Sequence, residues 1–402
     1  MKTIVFIGCS NFGTSKEALT IAKEMGYFVV LFTNKKIHKF PDVDHFVFIK
    51  DLQDEEKVID EITKLKETGK QICACISFID PYVSYAAKLS DHLGLVKLSA
   101  DSLFIMENKI RVREKLTNLS SSPFYKIFNH DLPVDQFVQK YNAFLPLILK
   151  PPASNGSKNV LLVETPEKFK AGLKFLQKRS PRQPVLVEEY LCGPQFLIEI
   201  IVHKNKLTVV GVIEQEVTKN ERFIVIGYSY PAMLKDEEYK NLLDSIADII
   251  DQMGFSNGSC HLEMRMVQGK WKLVEINPRM SGGAMNRMIE EGTGMNLIKE
   301  ILRLSLGEKP SLIESRKQHV YARYLTISTR GKLLKVTGRE QALKHKDVKY
   351  VHIKPQEGSI LIDPHTMGNR YACIIAAAES PEQARTSAIA AAKEIKFYLE
   401  PL

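Results

Sequence analysis

The segment VEINPRMSGG, residues 274 to 283, carries a carboxylate, an amide and a guanidinium group at alternating positions. In an extended chain Glu275, Asn277 and Arg279 point to one side, and the proline and the two glycines of the segment exclude a helix. Carboxylate and amide oxygens are ligands that Mg²⁺ accepts. The segment therefore raises the hypothesis of a metal site.

A second carboxylate is predicted to lie beside Glu275. In SCHLEMRM the alternation puts His261, Glu263 and Arg265 on one face, and the turn VQGK leads back into WKLVEIN. The resulting hairpin brings Glu263 next to Glu275, and two adjacent carboxylates repel unless they share a cation. Asn277 adds a neutral oxygen, so we interpret the group as a Mg²⁺ site. Ordinary glutamates on a surface strand and an ordinary half-buried histidine are the alternatives.

Two further segments have features of a nucleotide site. PLILKPPASNGSKNV, residues 146 to 160, is an apolar strand that ends in Lys150 and continues into a polar loop with Ser154, Asn155, Gly156 and Ser157. A lysine beside a loop of hydroxyls and backbone N–H groups predicts a phosphate clamp, although no G-K-[ST] of a Walker A motif follows. In PVLVEEYLCGPQ, residues 184 to 195, a strand end offers main-chain groups to an adenine ring.

Three zones of the chain would position these motifs. Up to about residue 100, apolar runs alternate with segments of helical period, which predicts a doubly wound parallel βαβ unit. Its turn GCSNFG lacks G-x-G-x-x-G spacing, so we expect a tight turn rather than a dinucleotide site. An α+β body follows, and then a smaller α+β piece. We expect that piece to end in the helix SPEQARTSAIAAAKEIKFYL, with Ser380 as N-cap, Pro381 in the first turn and Gln383 at the capping-box position.

Composition limits the remaining classes. The chain has 402 residues, 44% of them hydrophobic, and a net charge of +9 spread without a dense basic block. This favours anionic small molecules over nucleic acid as partners. No apolar run of membrane-spanning length and no signal peptide is seen, so we expect no membrane association and a cytoplasmic location. The six cysteines form no C-x-x-C pair and are expected to be reduced.

Taken together, the motifs MENKIRVREKL, LILKPPASNGSKNV, VEEYLCGP, CHLEMRM and VEINPRMSGG resemble, in order and spacing, the ATP-grasp superfamily of carboxylate–amine ligases. The resemblance runs from about residue 107 to 307 and is greatest to bacterial L-amino acid ligases. It implies an N-terminal βαβ domain (1–100), an ATP-grasp domain (101–313) with a lid-bearing subdomain (115–190), and a C-terminal α+β domain (314–402). The implied reaction is ATP-dependent amide formation between two L-amino acids through an acyl phosphate. A ligase for another acid or amine is the alternative.

The resemblance also implies roles for individual residues. The implied cofactors are ATP and Mg²⁺, for which Mn²⁺ can substitute, and the implied partners are small-molecule acids and amines. The number of chains in the assembly stays open, with a homodimer as one alternative. The implied ATP-binding residues are Lys109, Lys150, Ser154, Asn155, Gly156, Ser157, Glu188, Tyr190, Leu191, Gln195 and Glu263. Glu188 and Leu191 would act through their main chains. The implied metal ligands are Glu263, Glu275 and Asn277, the catalytic residues Arg279 and Lys150, and the substrate-binding residues Ser281, Gly282, Gly283, Ser84 and Tyr228.

Several positions depart from the family pattern. Gln195 stands where many relatives carry an acid for the ribose. Val225 and Tyr228 stand where amino acid ligases carry Glu and His, so an ionic anchor for a substrate ammonium group is missing from that strand. Gly283 replaces a bulky residue, which leaves room for a larger substrate or is an ordinary turn glycine. We expect compensation from the turn FIDPYVSY, which offers Asp80 and Ser84.

Overall fold

The structure is a computed structural model, and it describes residues 1–35, 40–154, 156–218 and 223–402. Its first unit is a parallel sheet in the order β3-β2-β1-β4. On β1, Phe6 packs with Ala18 of the first helix, whereas Val5 packs with Val58 of the second. Both faces of the sheet are thus covered, which explains the continuous apolar runs of its strands. The elements are β1 (Lys2–Ile7), α1 (Thr14–Glu24), β2 (Phe28–Thr33), β3 (His45–Phe48), α2 (Glu55–Glu67), β4 (Gln71–Ile76) and α3 (Val83–His92).

Two short helices lead into a small antiparallel sheet of order β5-β8-β6-β7. Phe128, Leu149 and Phe169 are fully buried in the core of this sheet and its helices. The longest helix of the unit begins at Pro166, and the Thr165 side chain accepts a hydrogen bond from the Lys168 amide as its N-cap. The elements are α4 (Ala100–Met106), α5 (Lys109–Lys115), β5 (Tyr125–Phe128), α6 (Val134–Tyr141), a 3₁₀ helix (Asn142–Phe144), β6 (Leu147–Lys150), β7 (Leu161–Val163), α7 (Pro166–Arg179) and β8 (Val185–Glu189).

The chain then enters the largest sheet. The hairpin predicted from VQGK is present: Val267 pairs with Lys270, and Gln268 and Gly269 form the turn with φ values of 49° and 76°. Two residues with positive φ are typical of a hairpin turn that matches strand twist. The elements are β9 (Gln195–His203), β10 (Lys206–Val217), β11 (Val225–Tyr230), α8 (Asp236–Met253), β12 (Gly258–Val267), β13 (Lys270–Asn277), α9 (Met285–Thr293), α10 (Leu297–Ser305) and β14 (His319–Leu325).

The C-terminal segment joins this sheet instead of forming one wholly its own. Strands of both segments run in the order β13-β12-β9-β10-β11-β14-β18-β16, and a separate small sheet has the order β17-β15-β19. The boundary expected at 313 therefore precedes strands that extend the central sheet. The elements are β15 (Gly331–Thr337), α11 (Arg339–Lys344), β16 (Val348–Ile353), β17 (Ile360–Leu361), a 3₁₀ helix (Met367–Asn369), β18 (Ala372–Ala378), α12 (Pro381–Ala392) and β19 (Lys396–Pro401).

The last helix begins as predicted and ends earlier. Ser380 is the N-cap, and its side chain accepts a hydrogen bond from the Gln383 amide. The Gln383 side chain does not return to the N-cap but donates to Asp347 Oδ2 at 2.8 Å. The helix ends at Ala392, and the following residues form β19 on β15, so the prediction of helix through to the end of SPEQARTSAIAAAKEIKFYL was wrong. No helix in the described ranges is long and apolar enough to cross a membrane.

Candidate active site

A cavity of about 300 Å³ is lined by residues of the small antiparallel sheet, of the large sheet and of the loop that follows β13. Nearly all of the predicted site residues lie in its wall. Of the others, Ser84 does not line it, and Asn155 lies outside the described residues. The predicted residues that line it are Lys109, Lys150, Ser154, Gly156, Ser157, Glu188, Tyr190, Leu191, Gln195, Tyr228, Glu263, Glu275, Asn277, Arg279, Ser281, Gly282 and Gly283.

The two acidic residues of the hairpin lie directly opposite each other. Glu263 pairs in register with Glu275 across β12 and β13. Burial, and then the negative charge of Glu275, raise the pKa of Glu263 to about 7. Burial also acts to raise the pKa of Glu275, but Lys109 and then Lys150 hold it below its ordinary value, with Lys109 Nζ 3.1 Å from Glu275 Oε1. The chain neutralises this carboxylate pair only in part, which is the electrostatic condition that favours a bound cation.

Asn277 is oriented by a neutral histidine. His261 Nδ1 lies 2.7 Å from the Arg279 carbonyl oxygen, and His261 Nε2 lies 3.3 Å from Asn277 Nδ2. Burial, and then the Arg279 charge, lower the pKa of His261 to about 4. A neutral imidazole has one N–H, which must donate to the carbonyl, so Nε2 accepts from the Asn277 amide. The Asn277 Oδ1 atom is then the one left to a cation.

These three side chains fit a hard divalent cation. Within the described ranges, no group of three or more His, Cys, Asp or Glu side chains forms a metal site. A cation bound here would therefore take two carboxylates and one amide oxygen from the chain. That leaves coordination positions for phosphate oxygens and water, as is common for Mg²⁺.

A buried charge cluster holds Lys150 beside the carboxylate pair of Glu263 and Glu275. Lys150 Nζ lies 2.5 Å from Glu188 Oε2, and Arg113 Nε donates to Glu188 Oε1. The Arg113 guanidinium also donates to the carbonyl oxygens of Leu273 and Val274, at 2.9 and 2.8 Å. Burial lowers the pKa of Lys150 although Glu188 opposes the effect. The cluster fixes α5, β6, β8 and β13 to one another, because a buried charge is tolerated only with its partners in place.

The Glu188 side chain, rather than its main chain, contributes to the site. Glu188 lies in the sheet between Tyr125 of β5 and Ile148 of β6, so strands flank its main chain on both sides. Its predicted role in holding adenine through main-chain groups therefore differs from what the structure shows. Tyr190 and Leu191 lie beyond the end of the strand and line the cavity, where main-chain groups can meet a ligand.

An arginine connects this strand end to Gln195. Arg265 donates to the Leu191 carbonyl oxygen and, through Nε, to Gln195 Oε1 at 2.9 Å. Its guanidinium carbon lies 5.6 Å from the Tyr190 ring centre and 5.8 Å from that of Phe223. Gln195 Nε2 in turn donates to Glu263 Oε2 at 3.0 Å. This end of the cavity thus offers aromatic surface together with fixed polar groups, which is the composition of a nucleobase site.

The described residues of the loop predicted as a phosphate clamp line the cavity, and contacts to their main-chain carbonyl groups hold them there. Lys109 Nζ donates to the Ser154 carbonyl oxygen at 2.7 Å. The Met367 amide donates to the Gly156 carbonyl oxygen at 3.1 Å. Gly156 and Ser157 have φ values of 65° and 59°, a region that is unstrained for glycine only. Ser157 Oγ also donates to the Phe223 carbonyl oxygen at 3.3 Å, so both main-chain and side-chain groups hold the described residues of the loop.

At the opposite end, three distant segments hold the loop after β13. Arg279 Nη2 and Nε donate to Asp80 Oδ2 at 2.7 and 3.0 Å. The Ser281 amide donates to Glu199 Oε1 at 2.8 Å, and the Ser281 carbonyl oxygen accepts from Thr14 Oγ1 at 3.0 Å. Glu199 is 1% exposed, and burial raises its pKa to about 7. Ser281, at the start of the loop 281–283, is therefore held by the buried Glu199 side chain and by Thr14 of α1.

Ser84 does not reach this end. Its amide and Oγ donate to the Glu107 carboxylate at 3.0 and 2.7 Å, and the residue is 4% exposed. The expectation that Ser84 borders the substrate is corrected accordingly: it lies in the first turn of α3, which faces the interior. Asp80, from the same turn of the chain, does reach the site through Arg279.

Tyr228 has a cationic neighbour from the C-terminal segment. Arg370 Nη1 donates to Tyr228 Oη at 3.1 Å and to the Val225 carbonyl oxygen at 3.2 Å. The Arg370 guanidinium also stacks on the Tyr324 ring, with its carbon 3.9 Å from the ring centre. Val225 and Tyr228 thus line a wall whose charge is positive, and no carboxylate replaces the missing anchor on this strand.

Four of these polar residues have no role in the predictions from the sequence. Arg113 lies four positions after Lys109, on the same face of a short helix, and that spacing was a usable signal. Glu199 interrupts the apolar run FLIEIIVH, which marks it as a residue with a buried partner. Arg265 shares its alternation with Glu263. Nothing in the sequence around Arg370 indicates its position.

Three family models match successive parts of the chain. One described as ATP-grasp N-terminal domain matches residues 19–95, one described as ATP-grasp domain matches residues 143–287, and one described as L-amino acid ligase C-terminal domain 2 matches residues 323–400. The chain belongs to the ATP-grasp superfamily, and the predicted superfamily and fold are confirmed. Its C-terminal segment relates it, within that superfamily, to the L-amino acid ligases.

Individual relatives agree with this assignment at low identity. The crystal structure of L-amino acid ligase from Bacillus licheniformis has a TM-score of 0.86 and 18% identity, and covers 100% of this chain and 99% of that one. Dapdiamide A synthase of Enterobacter agglomerans is 27% identical over 186 residues, which are 45% of this chain and 44% of that protein. The uncharacterized protein y4rH of Sinorhizobium fredii is 26% identical over 263 residues, 64% and 54% respectively. The chain spans about half the length of these two curated relatives.

Proposed function

We propose that the chain is an ATP-dependent carboxylate–amine ligase that joins two L-amino acids through an acyl phosphate. The observation that carries the proposal is the in-register pair of Glu263 and Glu275 between two lysines and an arginine. Three cationic side chains, together with a cation that the two carboxylates would hold, would form a site for a triphosphate beside a second anion, which phosphoryl transfer to a carboxylate requires.

The first step transfers the γ-phosphoryl group. An oxygen of the acid substrate's carboxylate attacks the γ-phosphorus, the bond to the β,γ-bridging oxygen breaks, and ADP leaves with that electron pair. Lys109 and Lys150 would neutralise the phosphates, and Arg279 the transferring group. Glu263, Glu275 and Asn277 would hold Mg²⁺, or Mn²⁺ in its place, which supplies positive charge to the phosphate oxygens.

In the second step the amine attacks the acyl carbon. Its nitrogen forms the C–N bond, the C–O bond to phosphate breaks, and phosphate leaves with the electron pair and accepts the proton that the nitrogen loses. The loop around residues 154–157 would exclude water from the acyl phosphate, and the backbone of 281–283 would hold its carboxyl end. Asp80 and Glu199 would position Arg279 and Ser281 for this step.

The second candidate function is a carboxylate–amine ligase whose acid substrate is not an amino acid, and one observation favours it. Arg279 and Arg370 line the substrate end of the cavity, whereas the carboxylates of the cavity wall, Glu188, Glu189, Glu263 and Glu275, belong to the nucleotide and metal end. An amino acid bound there as the acid would bring an ammonium group near the Arg370 guanidinium and near Arg279, whose guanidinium is paired with Asp80. An acid without an ammonium group avoids that repulsion.

Phosphate release separates these candidates. Purified protein with ATP and Mg²⁺ is incubated with every pair of the twenty L-amino acids, and in parallel with carboxylic acids that lack the amino group, and products are identified by mass. Release with amino acid pairs and a dipeptide mass supports the first candidate. Release only when the acid lacks an amino group supports the second, and no release with any acid contradicts both.

A further inference from the structure

A second cavity, of about 630 Å³, adjoins the candidate active site. Helices α1 and α9 form one side of it, and strands β14, β16 and β18 contribute to the other. The two cavities share Gly283, Met367 and Arg370 in their walls. A ligand in the second cavity would therefore meet the part of the first cavity that Gly283 and Arg370 line, where the Met367 amide also donates to the Gly156 carbonyl oxygen.

The wall nearest to this junction carries positive charge. Arg370, Lys354 and Lys16 line the second cavity, and within the described ranges none of them forms an ion pair with a carboxylate. Burial and the nearby Arg370 charge both lower the pKa of Lys354. The acids of the cavity lie on the helix side, where Glu290 is 3.4 Å from Arg287. Unpaired cations in a partly buried wall favour an anionic ligand group.

The same wall has aromatic surface beside the cations. Lys354 Nζ lies 5.2 Å from the ring centre of Phe12 and 5.7 Å from that of Tyr371, and it donates to the Gly368 carbonyl oxygen. Tyr350 also lines the cavity. A ligand with a carboxylate and an apolar or aromatic group would match both features.

Gly283 keeps the junction open. Its φ of 75° is unfavourable for other residues, and a Cβ atom there would lie 3.0 Å from Tyr324 Oη and 3.8 Å from Arg370 Nη2. A side chain would therefore project into the space between Tyr324 and Arg370, where the two cavities meet. With glycine, the backbone of the loop is the boundary, and a group in the second cavity can reach it.

We propose that the second cavity binds the amine substrate as an α-amino acid, with its carboxylate at Arg370 and Lys354 and its side chain among the aromatic rings. The amino group would pass Gly283 to reach the acyl carbon. This inference rests on the proposed ligase function and adds the site and the charge class of the second substrate.

An assay with hydroxylamine tests the proposed ligase function separately from the proposed amine site in the second cavity. Hydroxylamine is small enough to trap an acyl phosphate as a hydroxamate without a binding site of its own, so ATP-dependent hydroxamate formation reports the first step alone. The amide rate is measured with each of the twenty L-amino acids as amine, and the best of these is compared with its decarboxylated amine. The wild-type protein should prefer the amino acid by more than about tenfold in kcat/KM, the order expected for a charge-assisted contact.

The test variant is Lys354→Met and its control is Lys349→Met, which changes an exposed lysine of β16 that does not line the second cavity. Lys354→Met should lower the ratio of amide to hydroxamate formation by about tenfold and reduce the preference for the amino acid over its decarboxylated amine by a similar factor, because Arg370 would still contact the carboxylate. Lys349→Met should change neither. An unchanged ratio and preference in Lys354→Met would overturn the second site while the ligase function stands. Absence of hydroxamate from wild type with every acid would overturn the ligase function itself.

Discussion

The buried carboxyl group of Glu199, which contacts Ser281 in the loop after β13, should make the stability of the protein depend on pH. Burial raises the pKa of Glu199 from 4.5 to about 7, so the folded protein keeps a proton that the unfolded chain loses above about pH 4.5. The stability that this proton gives is fully present below pH 4.5 and is lost as the pH rises to about 7. The loss amounts to about 3 kcal/mol.

Glu199→Gln removes this dependence. Glutamine cannot ionise, and its Oε1 can still accept from the Ser281 amide, which lies 2.8 Å from Glu199 Oε1. The variant should therefore become more stable relative to wild type between pH 5 and pH 8. With an unfolding entropy of about 2.1 cal/mol/K per residue over 402 residues, the gain in Tm is about 3 to 4 °C if the chain unfolds as one unit. If burying the glutamine N–H groups costs stability, the cost is the same at every pH and does not change the pH dependence.

The assay is the difference in Tm between variant and wild type, measured by calorimetry at pH 5, 6, 7 and 8. Glu214→Gln serves as control, because Glu214 lies exposed on the adjacent strand β10. Its difference from wild type should stay constant with pH. A constant difference for Glu199→Gln as well would show that Glu199 is ionised in the folded protein and would refute the reasoning.

Three further predictions concern the nucleotide end. Glu275→Gln should lower phosphate release at least about hundredfold, because it removes a charged ligand of the proposed cation and of Lys109; retained turnover at an unchanged Mg²⁺ requirement would contradict the metal assignment. Arg113→Met should destabilise the protein by about 3 kcal/mol, because Glu188 loses one of its two buried cationic partners; an unchanged Tm would show that the cluster is not a stabilising one. Limited proteolysis within residues 154–158 should slow severalfold when ATP and Mg²⁺ are added, and equal rates would exclude a closing loop.

The sequence was sufficient for the parts of the site that local rules determine. The two-residue turn at Gln268 and Gly269 identifies the hairpin that carries Glu263 and Glu275, but the register that this turn sets would pair Glu263 with Val274. A shift of the register between Glu263 and Met264, which the sequence does not indicate, places Glu263 opposite Glu275. The contact between Arg113 and Glu188 joins residues 75 positions apart, and no local pattern selects that pairing. The last helix was extended too far because the alanine-rich periodicity gives no stop before the residues of β19. The helix ends where it does because the following residues pair as β19 with the edge of β15, a tertiary contact that the local sequence does not indicate.

The contrast between the two ends of the cavity has a structural origin. The residues proposed to bind the nucleotide and the metal come from one stretch, between Lys109 and Asn277, whose motifs follow in order along the chain. The substrate end combines Asp80 of the first unit, the loop 281–283 of the central sheet and Arg370 of the segment that extends this sheet. Its character therefore depends on how three separate parts of the chain pack. Variation in any one of them can change the accepted acid or amine without altering the phosphate chemistry. Substitutions at Lys354 and Arg370 should consequently change substrate choice in ways that no single motif of this sequence reveals.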